Sequence, residues 1–162
     1  MGNSFIHQSS HVDPSSIIGE GSKIWIGVQI RENTKIGSNC IISKDVYIDE
    51  SVEIGDNCKI QNSVSVFKGV TIENDVFIGP NASFTNDLVP RAFNNNWQIS
   101  NTYIRQGASI GANATIICGI TIGKYAMIGA GAVVTKDVPD FALIVGNPGR
   151  VIGFVDKKGN KV

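Results

Sequence analysis

Few side chains in this sequence are reactive at neutral pH, and their placement narrows the chemistry. Histidine occurs twice, as His7 and His11, both ahead of the first regular segment. Cysteine occurs three times, as Cys40, Cys58 and Cys118. The first eleven residues lack a basic stretch followed by an apolar core, so no secretory leader is expected. An odd cysteine count then points to a reducing cytoplasm. No pair has the spacing of zinc ligands, and no metal is expected. Cys40 and Cys58 stand eighteen residues apart, a separation that acquires meaning from the element carrying them.

That element is a repeat. Steps of six from Val12 reach an apolar residue every time through Phe84, thirteen in all, and the phase resumes from Ile104 through Val134 for six more. Four residues after most of these stands a small or β-branched residue, such as Val28, Cys40, Cys58, Ala82 or Ala114. Directly after many stands Gly or an acid, such as Gly37, Asp49 or Gly79. A period of six fits neither a 3.6-residue helix nor the simple alternation of a long strand. It fits short strands joined by tight corners, each contributing one large and one small inward residue. Three such faces close a triangular coil of eighteen residues. Coils then stack in parallel about 4.8 Å apart, and the nineteen hexads give just over six of them. Composition agrees: 24 Ile and 16 Val against 2 Leu suit a pleated surface, and 18 Gly with 15 Asn supply turns. The expected class is all-β. Cys40 and Cys58 occupy one slot on successive coils, pointing inward and within disulfide reach, and read as small buried thiols. Cys118 falls two residues past an apolar position, near a corner, and is expected at the surface.

Between Phe84 and Ile104 the spacing is twenty, one hexad plus fourteen residues, so a single loop over roughly 87–103 leaves the prism. Long loops on regular scaffolds carry function. Its Leu88, Phe93 and Trp97 are apolar and are expected to pack on a neighbouring subunit. The repeat ends near 135–139. Apolar segments at 141–145 and 151–155 flank GNPGR at 146–150 and read as a cap over about 140–155. The last seven residues are polar and expected to fray. The chain is therefore one domain, 1–162, with its β-helix over about 12–139. Fourteen Lys and Arg balance fourteen Asp and Glu. This removes electrostatic grounds for a nucleic-acid or anionic-membrane partner. No apolar run reaches the ~18 residues of a membrane span.

The pattern of Ile or Val, then Gly or acid, with a small residue four places on, resembles the hexapeptide-repeat acyltransferases over 12 to about 155. The resemblance implies a left-handed parallel β-helix, a homotrimer with active sites between subunits, and acetyl-CoA as co-substrate. Finer motifs are KIQNSVSVF at 59–67, Gly79-Pro80, Phe84-Thr-Asn86, Pro90-Arg91 and GASIGANATIICG at 107–119. They resemble the branch that acetylates a 3-amino group on nucleotide-linked sugars for surface polysaccharides. The loop opening NDLVPRA at 86–92 looks closer to the members using dTDP-sugars than to those using UDP-sugars.

Roles follow from that resemblance. Asn86 is expected to hydrogen-bond the attacking amine, orienting it without taking a proton. The backbone N–H of Gly107 is expected to stabilise the tetrahedral oxyanion. Backbone groups of Ala108 and Ala126 would pair with the pantetheine amides, and Lys124, Lys136 and Arg150 would meet the CoA phosphates. Arg31 and Arg91 would hold the diphosphate of the nucleotide sugar. Asn62 would hydrogen-bond sugar or base, and Phe67 and Trp97 would stack on a ring.

Other classes are excluded or weakened by particular residues. A γ-class carbonic anhydrase shares the prism but needs three metal-binding His, and the coil body has none. The same lack argues against an O-acetyltransferase, whose hydroxyl acceptor needs a general base. An amine already carries a lone pair, so an amine acceptor is favoured. A non-catalytic β-helix scaffold would not need the long loop or the late basic residues.

Overall fold

The computed structural model describes residues 3–162. Met1 and Gly2, which open the segment read for a leader, lie outside the described residues. Most hexads begin with a two-residue strand whose first side chain faces out and whose second faces in, as in Lys23–Ile24, Gln29–Ile30 and Lys35–Ile36. Ile24, Ile30, Ile42, Ile48 and Ile60 are fully buried. So are the small residues four places further on, such as Cys40, Cys58, Val64, Ala108 and Ala114.

The corner between them is left-handed. The third residue after most large inward ones has positive φ: 56° at Asn33, 57° at Asn39, 57° at Asp45, 59° at Asn57 and 59° at Asn81. Short polar residues and Gly tolerate this region, where a bulky Cβ would strike the carbonyl. The abundance of Asn and Gly is therefore a property of the corners. Tyr125 and Phe141 also adopt positive φ, 56° and 61°, and their rings stack with centroids 5.3 Å apart.

Successive coils pair in parallel with an offset of eighteen, as in Lys23↔Ile41, Gln29↔Tyr47 and Lys35↔Glu53. Among the described residues the three faces hold nine, seven and six strands. Across the loop the offset becomes 32, as in Phe77↔Ser109, Ser83↔Thr115 and Val70↔Thr102. That is one coil plus the fourteen extra residues that the broken phase indicates, and the ladder continues undisturbed. The architecture is an all-β parallel solenoid consistent with the expected left-handed winding. Among the described residues there is no helix, hence none long and apolar enough to cross a membrane.

The column is longer at both ends than the hexad count predicts. Phe5–Ile6 already pairs with Lys23–Ile24. At the other end Ala142–Val145 pairs in parallel with Met127–Ile128, so it is a coil strand as well as part of the cap. The first face thus carries eight parallel strands, its ninth being the antiparallel Arg150–Phe154 that closes the stack. The late coil is hidden in the sequence because the step from Val134 to the next inward residue, Val138, shrinks to four; Val138 bridges Ile122. The tail is also more ordered than expected. The Asp156 carboxylate accepts the N–H groups of Lys158 and Asn160 at 2.8 and 2.9 Å, and Val155 bridges Lys161.

Cys40 and Cys58 are buried free thiols in equivalent slots, donating to the carbonyls of Gly55 and Glu73 at 3.1 Å each. Its neighbour Cys40, together with burial, pushes the Cys58 thiol above its ordinary value. Cys118 departs from expectation: it is only 2% exposed. The loop root lies over this corner, with Ser100 and Leu88 side chains beside Gly119.

Candidate active site

The strand Ser83–Phe84 on the second face leads into Thr85 and Asn86, where a regular hexad would turn onto the third face. Instead the chain leaves, and it re-enters at Thr102–Ile104. Both roots are pinned. The Ser100 N–H donates to the Asn86 carbonyl at 3.0 Å, and the Thr102 N–H donates to the Gly69 carbonyl at 2.9 Å. The Asn86 side chain is half-buried at this junction, its Nδ2 donating to the Lys68 carbonyl at 3.3 Å. A carbonyl can only accept, so this bond fixes the amide flip and leaves Oδ1 free to accept a hydrogen from a ligand. Next to it, the Thr85 hydroxyl accepts the Cys118 N–H at 2.9 Å.

Below Asn86 runs a column set by the eighteen-residue register: Arg31, Asp49, Phe67 and Thr85 on the face, Glu32, Glu50, Lys68 and Asn86 beside them at the corner. Asp49 is its hub. Its Oδ1 accepts from the Tyr47 hydroxyl at 3.0 Å, the Glu50 N–H at 2.9 Å and Arg31 Nη1 at 3.4 Å. Its Oδ2 accepts the Lys68 N–H at 3.2 Å. Burial alone would raise the Asp49 carboxyl, but the two N–H donors, the Tyr47 hydroxyl and the Arg31 charge outweigh it and hold it below the usual range. The Phe67 ring leans on Tyr47 with centroids 6.0 Å apart, and Lys68 Nζ pairs with Glu50 at 2.9 Å.

The expected site residues separate into two sets. Arg31, Phe67 and Asn86 share this column, and Arg91 lies exposed on the loop that springs from it. Arg31 is already engaged, with Nε on Glu32 at 2.9 Å, and this pairing holds its proton more firmly. Asn62 is exposed at a different corner, between the first and second faces. Trp97 and Phe93 are exposed, Phe93 at 82%.

Three backbone assignments gain no support from the geometry of the single chain. Gly107 lies at the corner between the third and first faces, away from Asn86, and its N–H is spent on the Asn74 carbonyl at 3.0 Å. A side chain there would overlap the Tyr125 ring, so packing explains this glycine. Ala108 and Ala126 are wholly buried, and their N–H groups donate to Arg105 and Gly123 carbonyls at 3.2 Å each. Their carbonyls accept from Phe77 and Ser109, so neither residue offers a free N–H to a pantetheine arm. The amide on Asn86's own corner, one coil on, is that of Gly119, which donates to the Thr102 hydroxyl at 3.2 Å, with the Ser100 and Leu88 side chains beside it.

The late cations divide similarly. Lys136 and Arg150 line one 330 Å³ cleft with Thr135 and Gly149. Lys124 lines another of 630 Å³ with Arg105, Asp137 and Asp140. Tyr47, Asp49, Lys68 and Thr85 are additions to the site. Their signal in the sequence is the register itself, since Asp49 stands eighteen residues from both Arg31 and Phe67.

Residues 15–49, 33–68 and 101–136 match the family model described as bacterial transferase hexapeptide (six repeats). The chain is 48% identical over 151 residues to dTDP-3-amino-3,6-dideoxy-alpha-D-galactopyranose 3-N-acetyltransferase of Aneurinibacillus thermoaerophilus, covering 93% of this chain and 78% of that one. It superposes with a TM-score of 0.59 and 27% identity on PerB of Caulobacter crescentus, solved with CoA and GDP-perosamine. The match covers 94% of this chain but 58% of PerB, so the chain spans little more than half of that protein. A hexapeptide-repeat acetyltransferase of Vibrio cholerae O1 biovar eltor, complexed with acetyl-CoA, gives a TM-score of 0.64 at 28% identity, over 72% of this chain and 68% of the other.

Proposed function

Because the chain belongs to the bacterial hexapeptide transferases, we propose that it transfers the acetyl group of acetyl-CoA to the 3-amino group of a dTDP-linked amino sugar. The observation that carries this reading is the Asn86 amide, tethered by Nδ2 with Oδ1 unspent at the root of the loop. An oxygen acceptor there takes one N–H of a neutral amine and leaves the lone pair directed elsewhere, toward the thioester carbon. The C–N bond forms, the C–S bond breaks, and the departing thiolate takes the proton that the amine gives up. A hydroxyl acceptor would need a base at the same place. The two histidines are in the first coil, His11 four coils below the strand before Asn86, or roughly 19 Å at the usual strand spacing. Close identity to an amino-sugar 3-N-acetyltransferase over nearly the whole chain supports the same acceptor.

In this reading three copies assemble side by side in the cytoplasm, with each site between neighbours, and the product serves surface polysaccharide synthesis. The exposed Leu88, Val89, Phe93 and Trp97 of the loop pack on the adjacent copy. Arg91, with Arg31 beneath it, meets the diphosphate, and Asn62 reaches the site from the neighbouring copy. Lys136 and Arg150, on their shared cleft, take the CoA phosphates, and Lys124 is a further cation for the same task.

The reading is tested by calorimetry with CoA and with dTDP or UDP, followed by an acceptor panel. Tighter binding of dTDP and acetylation of 3-amino sugars are expected. Acetylation of hydroxyl acceptors alone overturns the proposal.

A further inference from the structure

We propose that Asp49 is a positioning residue for acetyl transfer, holding the Lys68 backbone so that its carbonyl presents the Asn86 amide to the acceptor. This rests on Asn86 being the group that meets the amine.

In this fold the N–H of the second residue after each large inward one often finds a side-chain acceptor in place of a backbone carbonyl. Ser38 uses Asp56, Asp56 uses Asn74, Gln106 uses Glu73 and Cys118 uses Thr85. At Lys68 the acceptor is Asp49 Oδ2. Lys68 therefore joins two bonds in series: its N–H to Asp49 at 3.2 Å and its carbonyl to Asn86 Nδ2 at 3.3 Å. The next residue makes this anchor matter. Gly69 has φ 95°, well away from the 56–61° of the non-glycine corners, and carries no Cβ to restrict the peptide plane that bears the Lys68 carbonyl. Asp49 is itself immobilised by Tyr47, Glu50 and Arg31, and its side chain is only 15% exposed.

Asp49 does not touch the acceptor in this scheme; it acts through Asn86. A residue that merely stabilised the coil would add its effect to any change at Asn86. A positioning residue loses its effect once Asn86 is gone. The test is a double-mutant cycle of Asp49→Asn and Asn86→Ala, with kcat and KM measured for each substrate. Asp49→Asn is expected to lower kcat about tenfold with the KM for acetyl-CoA unchanged. The double variant is expected to match Asn86→Ala alone. Additive losses overturn the proposal. The second readout is the Asn86 side-chain NH2 resonance pair, assigned by its loss in Asn86→Ala. Asp49→Asn should shift it in the folded protein, and an unmoved pair overturns the proposal. This readout needs no turnover, so a wild type that acetylates no amino sugar refutes the functional reading while the Asp49 linkage is still decided. Should Asp49→Asn fail to fold, Tyr47→Phe removes one donor from the carboxylate. It should move the same resonances, with an activity loss that vanishes in the Asn86→Ala background; additivity there is equally fatal.

Discussion

The role proposed for Asn86 is chemically modest: an amide neither gains nor loses a proton near neutrality, so its work would be orientation. In that role, replacing it by Ala would remove one hydrogen bond to the reacting amine. Steady-state kinetics should show kcat lowered by about 10- to 100-fold, more than KM rises. Asn86→Asp is expected to do no better, although it keeps an oxygen in place, because a carboxylate cannot donate to the Lys68 carbonyl. Turnover at the wild-type level in either variant would remove Asn86 from the site. The Phe84-Thr-Asn86 motif marks this residue in the sequence, whereas the commitments of backbone groups leave no trace there. Gly107, Ala108 and Ala126 look available by residue type, yet each N–H is consumed by a carbonyl in or beside its own coil. Asp49 is the converse case. The register places it in line with Arg31 and Phe67, but its contact with the Lys68 N–H depends on where a corner amide points.

The unit of this fold is the hexad, and two kinds of glycine within it separate two physical demands. A Cβ on Gly79 would lie 2.6 Å from the Ala112 nitrogen and 2.8 Å from the Gly111 carbonyl carbon, both backbone atoms of the next coil. A Cβ on Gly131 would meet nothing within 4 Å, but φ there is 71°. Gly79→Ala should therefore cost about 3 kcal/mol or more through forced separation of coils. Gly131→Ala should cost only the ~1–2 kcal/mol of a left-handed non-glycine residue. Denaturant midpoints of the two variants check this, and equal losses would mean that coil contact is not the tighter constraint. The period of six makes faces, corners and the loop's fourteen extra residues legible, because the large inward position of each hexad is apolar. It fails where the step changes to four at Val138, since a shortened corner leaves the strand but breaks the phase.

At the scale of the whole molecule, zero net charge conceals local order among the carboxylates. Burial would raise Glu73, but its bonds to Arg105 at 2.7 Å and to the Gln106 N–H at 2.8 Å outweigh this and hold it below the usual range, as with Asp49. A carboxyl lowered in the folded state binds its proton more readily when unfolded. Its contribution is thus fully present above the unfolded value, about pH 4, and fades as pH falls through the lower folded value. Denaturation midpoints should be flat from pH 7 to about 5 and drop below it. The combined Asp49→Asn, Glu73→Gln variant should be less stable at neutrality with a shallower acid drop. A drop as steep as in the wild type would show that other carboxylates govern it.

The loop adds fourteen residues between Ser83 and Thr115 without displacing their pairing, and its two feet are tied by single backbone bonds to Asn86 and Gly69. The segment is thus an insertion that the winding does not need, a cassette clipped at both ends to the column and resting on it through Leu88, Ile99 and Ser100. Its sequence and length can drift without any cost to winding, while the tethered Asn86 and the ladder around it stay put. Under the proposed reading, part of the acceptor preference would be re-tailored by exchanging one detachable stretch of chain, with Asn86 left where it was.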